Sequence, residues 1–138
     1  MKLYKQLCPA SWNDACEIRK AEPYSTCQFI TGRDHPDFGE AHHPFMTGSG
    51  GWSYFAATQY ILGIRPDFDK LIVDPCIPPE WDGFTAIRRF RGAEYHITVK
   101  NPRHISKGVQ DIRINGTTCA IIPVLHKGEK CQVEIILG

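Results

Sequence analysis

The sequence lacks the features of a membrane or secreted protein. Over 138 residues no run approaches the roughly 18 apolar residues that cross a bilayer. The opening residues, MKLYKQ, have none of the apolar core that a signal peptide requires. We therefore expect a cytoplasmic protein that has no membrane partner.

A surplus of charge of one sign is also missing. There are 16 basic and 15 acidic residues, spread without long runs, and the formal net charge is +1. Proteins that bind nucleic acid usually cluster basic residues on one face, so we expect no nucleic-acid partner. The composition, 42% hydrophobic and 22% charged, is that of a folded globular chain without repeats or low-complexity segments.

Zinc-type cysteine pairs are absent as well. The six cysteines are widely spaced and never form Cys-x-x-Cys. Because no secretion signal is present, we expect buried thiols that pack as small hydrophobic side chains, in preference to disulfides.

Two adjacent histidines, His42 and His43, raise the question of a metal site. Neighbouring residues do not point comfortably at one ion, and His35 with Asp34 and Asp37 offers only a loose third ligand. Loop histidines that hydrogen-bond to the backbone are the favoured interpretation. The sequence therefore predicts no metal site.

The first half of the chain reads as helices joined by long loops. The pattern predicts a helix end over residues 2–7, stopped by Pro9, and a short helix over residues 21–30. About fifteen loop residues follow. Further along the chain, the pattern predicts a helix over residues 52–62 that Gly63 ends. That last helix is apolar on every face and must be surrounded by protein. Since the first half offers few neighbours, the sequence predicts a fragment.

The second half changes to a period of two. Tyr95, Ile97 and Val99 alternate with polar residues, which is typical of a strand with one wet face. Glycine turn signals occur at residues 91–92, 115–116 and 127–128. The predicted strands are 71–73, 84–91, 95–99, 110–114, 120–125 and 131–137. Strands without intervening helices predict an antiparallel sheet or half-sandwich, and an α+β chain overall.

The candidate chemistry lies in Thr47-Gly48-Ser49-Gly50-Gly51, which opens the apolar helix. A hydroxyl there could cap the helix, and the free N–H groups at its start favour an anion. A structural capping loop and an anion site are equally compatible with this pattern, and the Gly-Lys-Ser/Thr ending of a P-loop is missing. The aspartate pairs 34/37 and 67/69 lie in turn contexts, where solvated aspartates are common. No Ser-His-Asp set can be assembled from the spacing.

Three stretches carry a resemblance to a known family: EIRKAEPYSTCQFITG, HHPFMTGSGGWSYFAATQYILGIRPDFDKLIVDPCIPPEWDGF and RRFRGAEYHITVKNP. Together they resemble the C-terminal end of the inverting disaccharide phosphorylases of glycoside hydrolase family 94. The segment HHPFMTGSGGW is similar to the corresponding segment of the chitobiose-cleaving members. The alternative is that the chain resembles the cellobiose- or cellodextrin-cleaving members. The resemblance extends over nearly the whole chain.

The resemblance implies a fold and a reaction. Residues 1–65 would be the last helices of an (α/α)6 catalytic barrel, and residues 66–138 a C-terminal antiparallel β domain. The parent enzyme would cleave a β-1,4-linked disaccharide with inorganic phosphate, give an α-sugar 1-phosphate, need no cofactor and form a homodimer. The general acid, an aspartate, would lie upstream, so this chain alone is expected to be inactive.

The resemblance also implies the binding residues. Thr47 and Gly48 match the phosphate-binding Thr-Gly of the family, and Gln28 matches a glutamine at the phosphate or the neighbouring sugar. For Gln28 a purely structural role is an equal alternative, because side-chain amides often satisfy buried backbone. A different class of function, a free-standing carbohydrate-binding or structural β module, is the competing hypothesis for the chain.

Overall fold

The computed structural model describes residues 2–138 and divides the chain into two compact units, Met1–Phe55 and Ala56–Gly138. The first unit is mostly helix and loop, and the second is built from β-strands. The mixed α+β class predicted from the sequence is therefore confirmed at that level. Among the described residues, no helix combines the length and apolar character needed to cross a membrane.

The first unit has short elements joined by turns. Its elements are α1 (Lys2–Leu7), a 3-10 helix (Pro9–Ala15), α2 (Cys16–Arg19), β1 (Phe29–Ile30), β2 (Ala41–His42) and α3 (Ser49–Phe55). The helix predicted over residues 2–7 is confirmed. Strands β1 and β2 form an antiparallel ribbon in which Phe29 lies opposite His42. The loop between these strands is closed by Thr31, whose hydroxyl accepts the Glu40 N–H at 3.0 Å.

The helix predicted over residues 21–30 is wrong. Helix α2 ends at Lys20, which adopts a left-handed φ of 52° and donates its N–H to the Cys16 carbonyl at 2.8 Å. Downstream, the carbonyls of Ala21, Glu22 and Ser25 accept hydrogen bonds from the Arg19 side chain. Because the guanidinium binds these carbonyls, the segment forms a loop in place of a helical turn.

The predicted apolar helix is present, and large side chains in its first turns are exposed. Helix α3 is followed in sequence by a π-helical stretch, Ala56–Ile61, and Gly63 takes a left-handed φ of 70°, so the predicted stop is confirmed. However, Trp52 is 72% exposed and Tyr54 is 68% exposed. The expectation that protein surrounds this helix is thus not met within residues 2–138, because the chain supplies too few neighbouring helices.

The second unit contains two sheets. A five-stranded sheet has the order β5-β6-β10-β7-β8, and a three-stranded sheet has the order β3-β4-β9. The strands are β3 (Ile64–Pro66), β4 (Lys70–Val73), β5 (Gly83–Phe90), β6 (Ala93–Lys100), β7 (Val109–Ile114), β8 (Thr117–Thr118), β9 (Ile122–Pro123) and β10 (Lys130–Leu137). Five of the six predicted strands occur close to their predicted bounds, while the strand predicted over residues 120–125 is reduced to the two residues of β9. The sequence does not predict the short strands β3 and β8.

The core of the second unit lies on the inner face of the larger sheet. Tyr95, Ile97 and Val99 of β6 are 0–2% exposed, and Val133 and Ile135 of the neighbouring β10 are equally buried. Their alternation with polar residues follows the pleat, which turns every second side chain to the same face. Burial of these five side chains supplies much of the hydrophobic stabilisation of the sheet.

The prediction of a purely antiparallel β domain is wrong at one strand pair. Strand β10 lies parallel to β6, with Val133 opposite Ile97, while it lies antiparallel to β7. Parallel neighbours need a crossover connection. Here the crossover runs through residues 101–129 and includes β7, β8 and β9, so that the chain returns to β6 in the same direction.

The cysteines are mostly outside the core. All six are free thiols, and Cys131 is the one that is buried. Its burial raises the pKa of the Cys131 thiol, which keeps it protonated. The prediction of buried thiols is therefore wrong for Cys8, Cys27 and Cys119, which are half-buried, and for the exposed Cys16 and Cys76, because these residues lie in loops, turns and short helices.

Substituting Tyr95 with phenylalanine is expected to destabilise the second unit. The fully buried Tyr95 hydroxyl donates to the Pro123 carbonyl at 3.0 Å and accepts the Leu125 N–H at 2.9 Å. Tyr95→Phe leaves both backbone groups without this partner, which should cost about 1–3 kcal/mol in urea unfolding. Tyr24→Phe, at a site 76% exposed, is the control and should leave the midpoint unchanged. Equal midpoints for both variants would contradict the role of the hydroxyl.

Candidate functional site

The glycine-rich turn begins helix α3 and carries a threonine hydroxyl. The Thr47 hydroxyl oxygen accepts the Ser49 N–H at 3.1 Å and lies 2.8 Å from the Ser49 hydroxyl. The Gly48 carbonyl accepts the Trp52 N–H at 3.0 Å, which is the first hydrogen bond of the helix. Of the two hydroxyls at the start of the helix, that of Thr47 therefore accepts a backbone N–H of the first turn, from the position just before Gly48.

Neither the backbone conformation nor the space at position 48 requires a glycine. The φ of Gly48 is outside the left-handed region, and a Cβ placed there would lie 3.6 Å from Trp52 Cδ1, which is ordinary van der Waals contact. The Gly48 N–H makes no backbone hydrogen bond with the described residues. This exposed amide, next to a hydroxyl, is the kind of donor that an anion uses at the start of a helix.

Gln28 reaches the same region from the ribbon. Its N–H donates to the His42 carbonyl at 3.0 Å, and the nearby Thr26 carbonyl accepts the Phe45 N–H at 3.3 Å. These two bonds tie residues 26–28 to the segment that leads directly into the glycine-rich turn. The structure thus brings Gln28 and residues 47–51 into one part of the first unit.

A cavity of about 530 Å³ lies between Gln28 and the first turn of α3, and neither Thr47 nor Gly48 is among the residues that line it. Among its lining residues are Gln28, Thr26, Ser49 and Arg19, together with the apolar side chain of Trp52. No Asp or Glu of residues 2–138 lines this cavity. The arrangement therefore offers hydrogen-bond donors for an anion but no carboxylic acid for proton transfer.

The rings of His42 and His43 both contact the ring of Phe29. The His42 ring lies parallel to the Phe29 ring at a centroid distance of 4.7 Å, and the His43 ring meets Phe29 edge-on at 5.7 Å. In the described part of the chain, the His42 and His43 side chains thus make ring contacts with Phe29, in place of the expected hydrogen bonds to the backbone. In that same part, no group of three or more His, Cys, Asp or Glu side chains could hold a metal ion.

An ion pair joins the end of α2 to the start of β2. Lys20 Nζ lies 2.7 Å from Glu40 Oε2. The hydrogen bond from Lys20 lowers the pKa of the Glu40 carboxyl, and the same bond raises the pKa of Lys20. Both side chains are partly in solvent, so the pair orients the ribbon more than it stabilises the unit.

Arg19 is a residue of this region that the sequence pattern does not indicate. This residue is 4% exposed, is the only charged side chain among the buried residues of the described chain, and lines the cavity beside Gln28. Nothing in the pattern EIRK distinguishes Arg19 from the solvated charged residues next to it. Its special role comes from hydrogen bonds to a loop, and a loop has no sequence periodicity that would reveal them.

Comparison with known proteins shows a family match over residues 1–63 and similar proteins over the rest of the chain. Residues 1–63 match the family described as the glycosyl hydrolase 94 superfamily, catalytic domain. The chain is 53% identical over 138 residues to N,N'-diacetylchitobiose phosphorylase of Vibrio furnissii, a match that covers 100% of this chain and 17% of that protein. It is 53% identical over 139 residues to the enzyme of the same name from Vibrio proteolyticus, again 100% of this chain and 17% of that protein.

A more distant relative has a different substrate in its name. The solabiose phosphorylase of Paenibacillus borealis is 31% identical over 134 residues, which is 96% of this chain and 17% of that protein. The chain is therefore similar along nearly its whole length to phosphorylases of glycoside hydrolase family 94. It is similar along its whole length to N,N'-diacetylchitobiose phosphorylases, and it spans 17% of their length.

Proposed function

We propose that this chain is the C-terminal part of an inverting phosphorylase that cleaves a β-1,4-linked disaccharide of the chitobiose type with inorganic phosphate, giving an α-sugar 1-phosphate. The observation that carries the proposal is the Thr47 hydroxyl at the start of α3, next to the exposed Gly48, in a chain 53% identical throughout to chitobiose phosphorylases. The resulting enzyme is a glycosyltransferase in which phosphate takes the place of water.

The proposed domain organisation assigns residues 1–65 to the end of an (α/α)6 barrel and residues 66–138 to a C-terminal β domain. The family match over residues 1–63 supports this boundary, as does the left-handed Gly63 that follows the helix. The exposure of Trp52 and Tyr54 supports it too, since further barrel helices would bury an apolar face of this kind.

In the proposed mechanism the phosphate is bound by the Thr47 hydroxyl, the Gly48 N–H and the Gln28 side chain. These donors hold the anion in line with the anomeric carbon, so that a reaction between two molecules proceeds within one bound complex. Because phosphate is already nucleophilic, the main remaining task is protonation of the leaving oxygen. We assign that task to an aspartate outside this chain, in agreement with a cavity that no carboxylate of the described residues lines.

The proposal includes three further features. Phosphate is a substrate, so no cofactor or metal is needed for the chemistry. The full-length protein is a homodimer, as the family resemblance implies, and its location in the cytoplasm stays a prediction. A cellobiose or cellodextrin specificity is the runner-up, and we place the residues that would contact an acetamido group outside this chain.

A phosphorolysis assay tests the proposal. The full-length polypeptide that contains this chain is incubated with inorganic phosphate and either N,N'-diacetylchitobiose or cellobiose. We expect N-acetylglucosamine 1-phosphate from chitobiose, with the α configuration shown by the anomeric proton coupling in NMR. The isolated 138-residue chain, as the control, should give no turnover.

Each other result has a distinct meaning. Preferential use of cellobiose would transfer the assignment to the runner-up specificity. A β-configured product would contradict inversion, and free sugar formed without phosphate would contradict phosphorolysis. Turnover by the isolated 138-residue chain would disprove its expected inactivity.

A further inference from the structure

Arg19 is a buried cation that donates its hydrogen bonds to backbone carbonyls. Its Nη1 donates to the Glu22 carbonyl at 2.7 Å and to the Ala21 carbonyl at 3.4 Å, and its Nη2 donates to the Ser25 carbonyl. No carboxylate of residues 2–138 forms an ion pair with it. Removing a guanidinium from water is costly unless its donors find acceptors, so these bonds fix the loop of residues 21–25 around the side chain.

The loop that Arg19 holds leads directly to Gln28. Residues 21–25 belong to no helix or strand, and the Ser25 N–H to the Glu22 carbonyl at 3.1 Å is the one backbone bond formed within them. At the other end, the bond from the Gln28 N–H to His42 fixes the segment to β2. Arg19 therefore supplies the anchor upstream of Gln28, and β2 supplies the anchor downstream.

The same segment packs against the glycine-rich turn. A Cβ at Gly50 would lie only 3.2 Å from the Thr26 hydroxyl oxygen, so residue 26 is in close contact with the first turn of α3. Arg19, Gln28 and Ser49 all line the cavity of about 530 Å³. A shift of the loop would consequently move Gln28 relative to the turn that carries Thr47.

We propose that Arg19 is a positioning residue for the phosphate site: by binding three carbonyls of the loop before Gln28, it sets the place of Gln28 in the cavity that Ser49, in the first turn of α3, also lines. This inference rests on the proposed function, in which Gln28, Thr47 and Gly48 bind phosphate. A lysine would not be equivalent, because a single ammonium lacks the planar fork of donors that reaches carbonyls on two sides.

Kinetics of the full-length enzyme test this role. Arg19→Met should raise the KM for phosphate on the order of tenfold, because a displacement near 1 Å in a binding group has effects of this size or larger. Arg19→Lys should give a smaller rise, and kcat at saturating phosphate should change less than KM. Arg33→Met, at an exposed arginine of the same unit, is the matched control and should leave both constants unchanged.

A coupling measurement separates positioning from loss of stability. Gln28→Ala should raise the phosphate KM in the wild-type background but have little further effect together with Arg19→Met, since the glutamine is then already displaced. A merely structural Arg19 would lower Tm, leave the phosphate KM unchanged below that temperature and give additive effects with Gln28→Ala. That result would overturn the proposal, and Arg19→Lys provides the same comparison if Arg19→Met does not fold.

The Thr47→Val variant distinguishes failure of the positioning role of Arg19 from failure of the proposed phosphate site. If Thr47→Val raises the phosphate KM and neither Arg19 variant does, the positioning role is wrong while the proposed site stands. If Thr47→Val has no effect on the phosphate KM but Arg19→Met and Gln28→Ala are coupled, the loop is positioned as proposed and the assignment of phosphate to Thr47 fails.

Discussion

Gly63→Ala is expected to destabilise the 138-residue chain by about 3 kcal/mol or more, a larger loss than that expected for Tyr95→Phe. Gly63 has a φ of +70°, and a Cβ there would lie 2.1 Å from the Asp74 carbonyl oxygen, 2.3 Å from its carbon and 2.6 Å from the Pro75 nitrogen. These are backbone atoms of a segment that is itself bound, since the Asp74 N–H donates to the Gly63 carbonyl at 3.0 Å. The methyl group cannot be accommodated by a change of rotamer, so the backbone has to move.

Gly116→Ala is the matched control for Gly63→Ala. Gly116 has a similar φ of +86°, but a Cβ at this residue would have no described atom within 4 Å apart from those of its chain neighbours. Its replacement should cost only the left-handed conformation, about 1 kcal/mol. Urea unfolding followed by circular dichroism measures both variants, and the difference between them isolates the clash at Asp74. Equal losses would show that the clash is relieved by relaxation and that the structure around Gly63 is less constrained than its geometry indicates.

The features that the sequence predicted are those encoded over a few neighbouring residues. Tyr95, Ile97 and Val99 predicted a strand with one buried face because the pleat has a period of two, and these residues are 0–2% exposed. Arg91 and Gly92 predicted a turn, and both have a positive φ, of 50° and 84°, between β5 and β6. Local backbone preference and one-sided burial act together at such positions, so a short window is sufficient.

The features that the sequence did not predict depend on residues far apart or on single side-chain contacts. The parallel pairing of β6 with β10 depends on the path of the crossover through residues 101–129. That path cannot be predicted from a pattern of neighbouring residues. The pattern predicts a helix over residues 21–30, whereas Arg19 binds carbonyls of residues 21–25 and holds this part of the segment as a loop. The same limit applies to the candidate site, where the pattern predicts a capping hydroxyl at Thr47 or Ser49 but does not predict the place of Arg19.

Thr47→Val is expected to have the largest effect on the proposed reaction. Valine keeps the shape of threonine but removes the hydroxyl that would donate to the anion, and a hydrogen bond to a charged group contributes roughly 1.5–3 kcal/mol. In the full-length enzyme the phosphate KM should therefore rise about 10- to 100-fold, while the KM for the disaccharide changes little. Thr47→Ser retains a hydroxyl and should stay near the wild-type constants in the same initial-rate assay.

Helix capping offers a competing explanation, because the Thr47 hydroxyl also accepts the Ser49 N–H at 3.1 Å. Loss of a cap costs about 1 kcal/mol and would lower Tm without selecting between the two substrates. Gly48→Ala separates these effects, since its methyl group would meet Trp52 Cδ1 only at 3.6 Å and should leave Tm unchanged. The same methyl group lies where an anion would approach the Gly48 N–H, so it should still raise the phosphate KM about tenfold.

The pair of variants thus gives a pattern that capping alone does not produce. Thr47→Val should affect both Tm and the phosphate KM, whereas Gly48→Ala should affect the phosphate KM alone. If both variants raise the disaccharide KM and leave that for phosphate unchanged, the turn contacts the sugar and the assignment is wrong. If Gly48→Ala changes neither constant, the open space beside Trp52 is not occupied by substrate, and the glycine serves only the entry to helix α3.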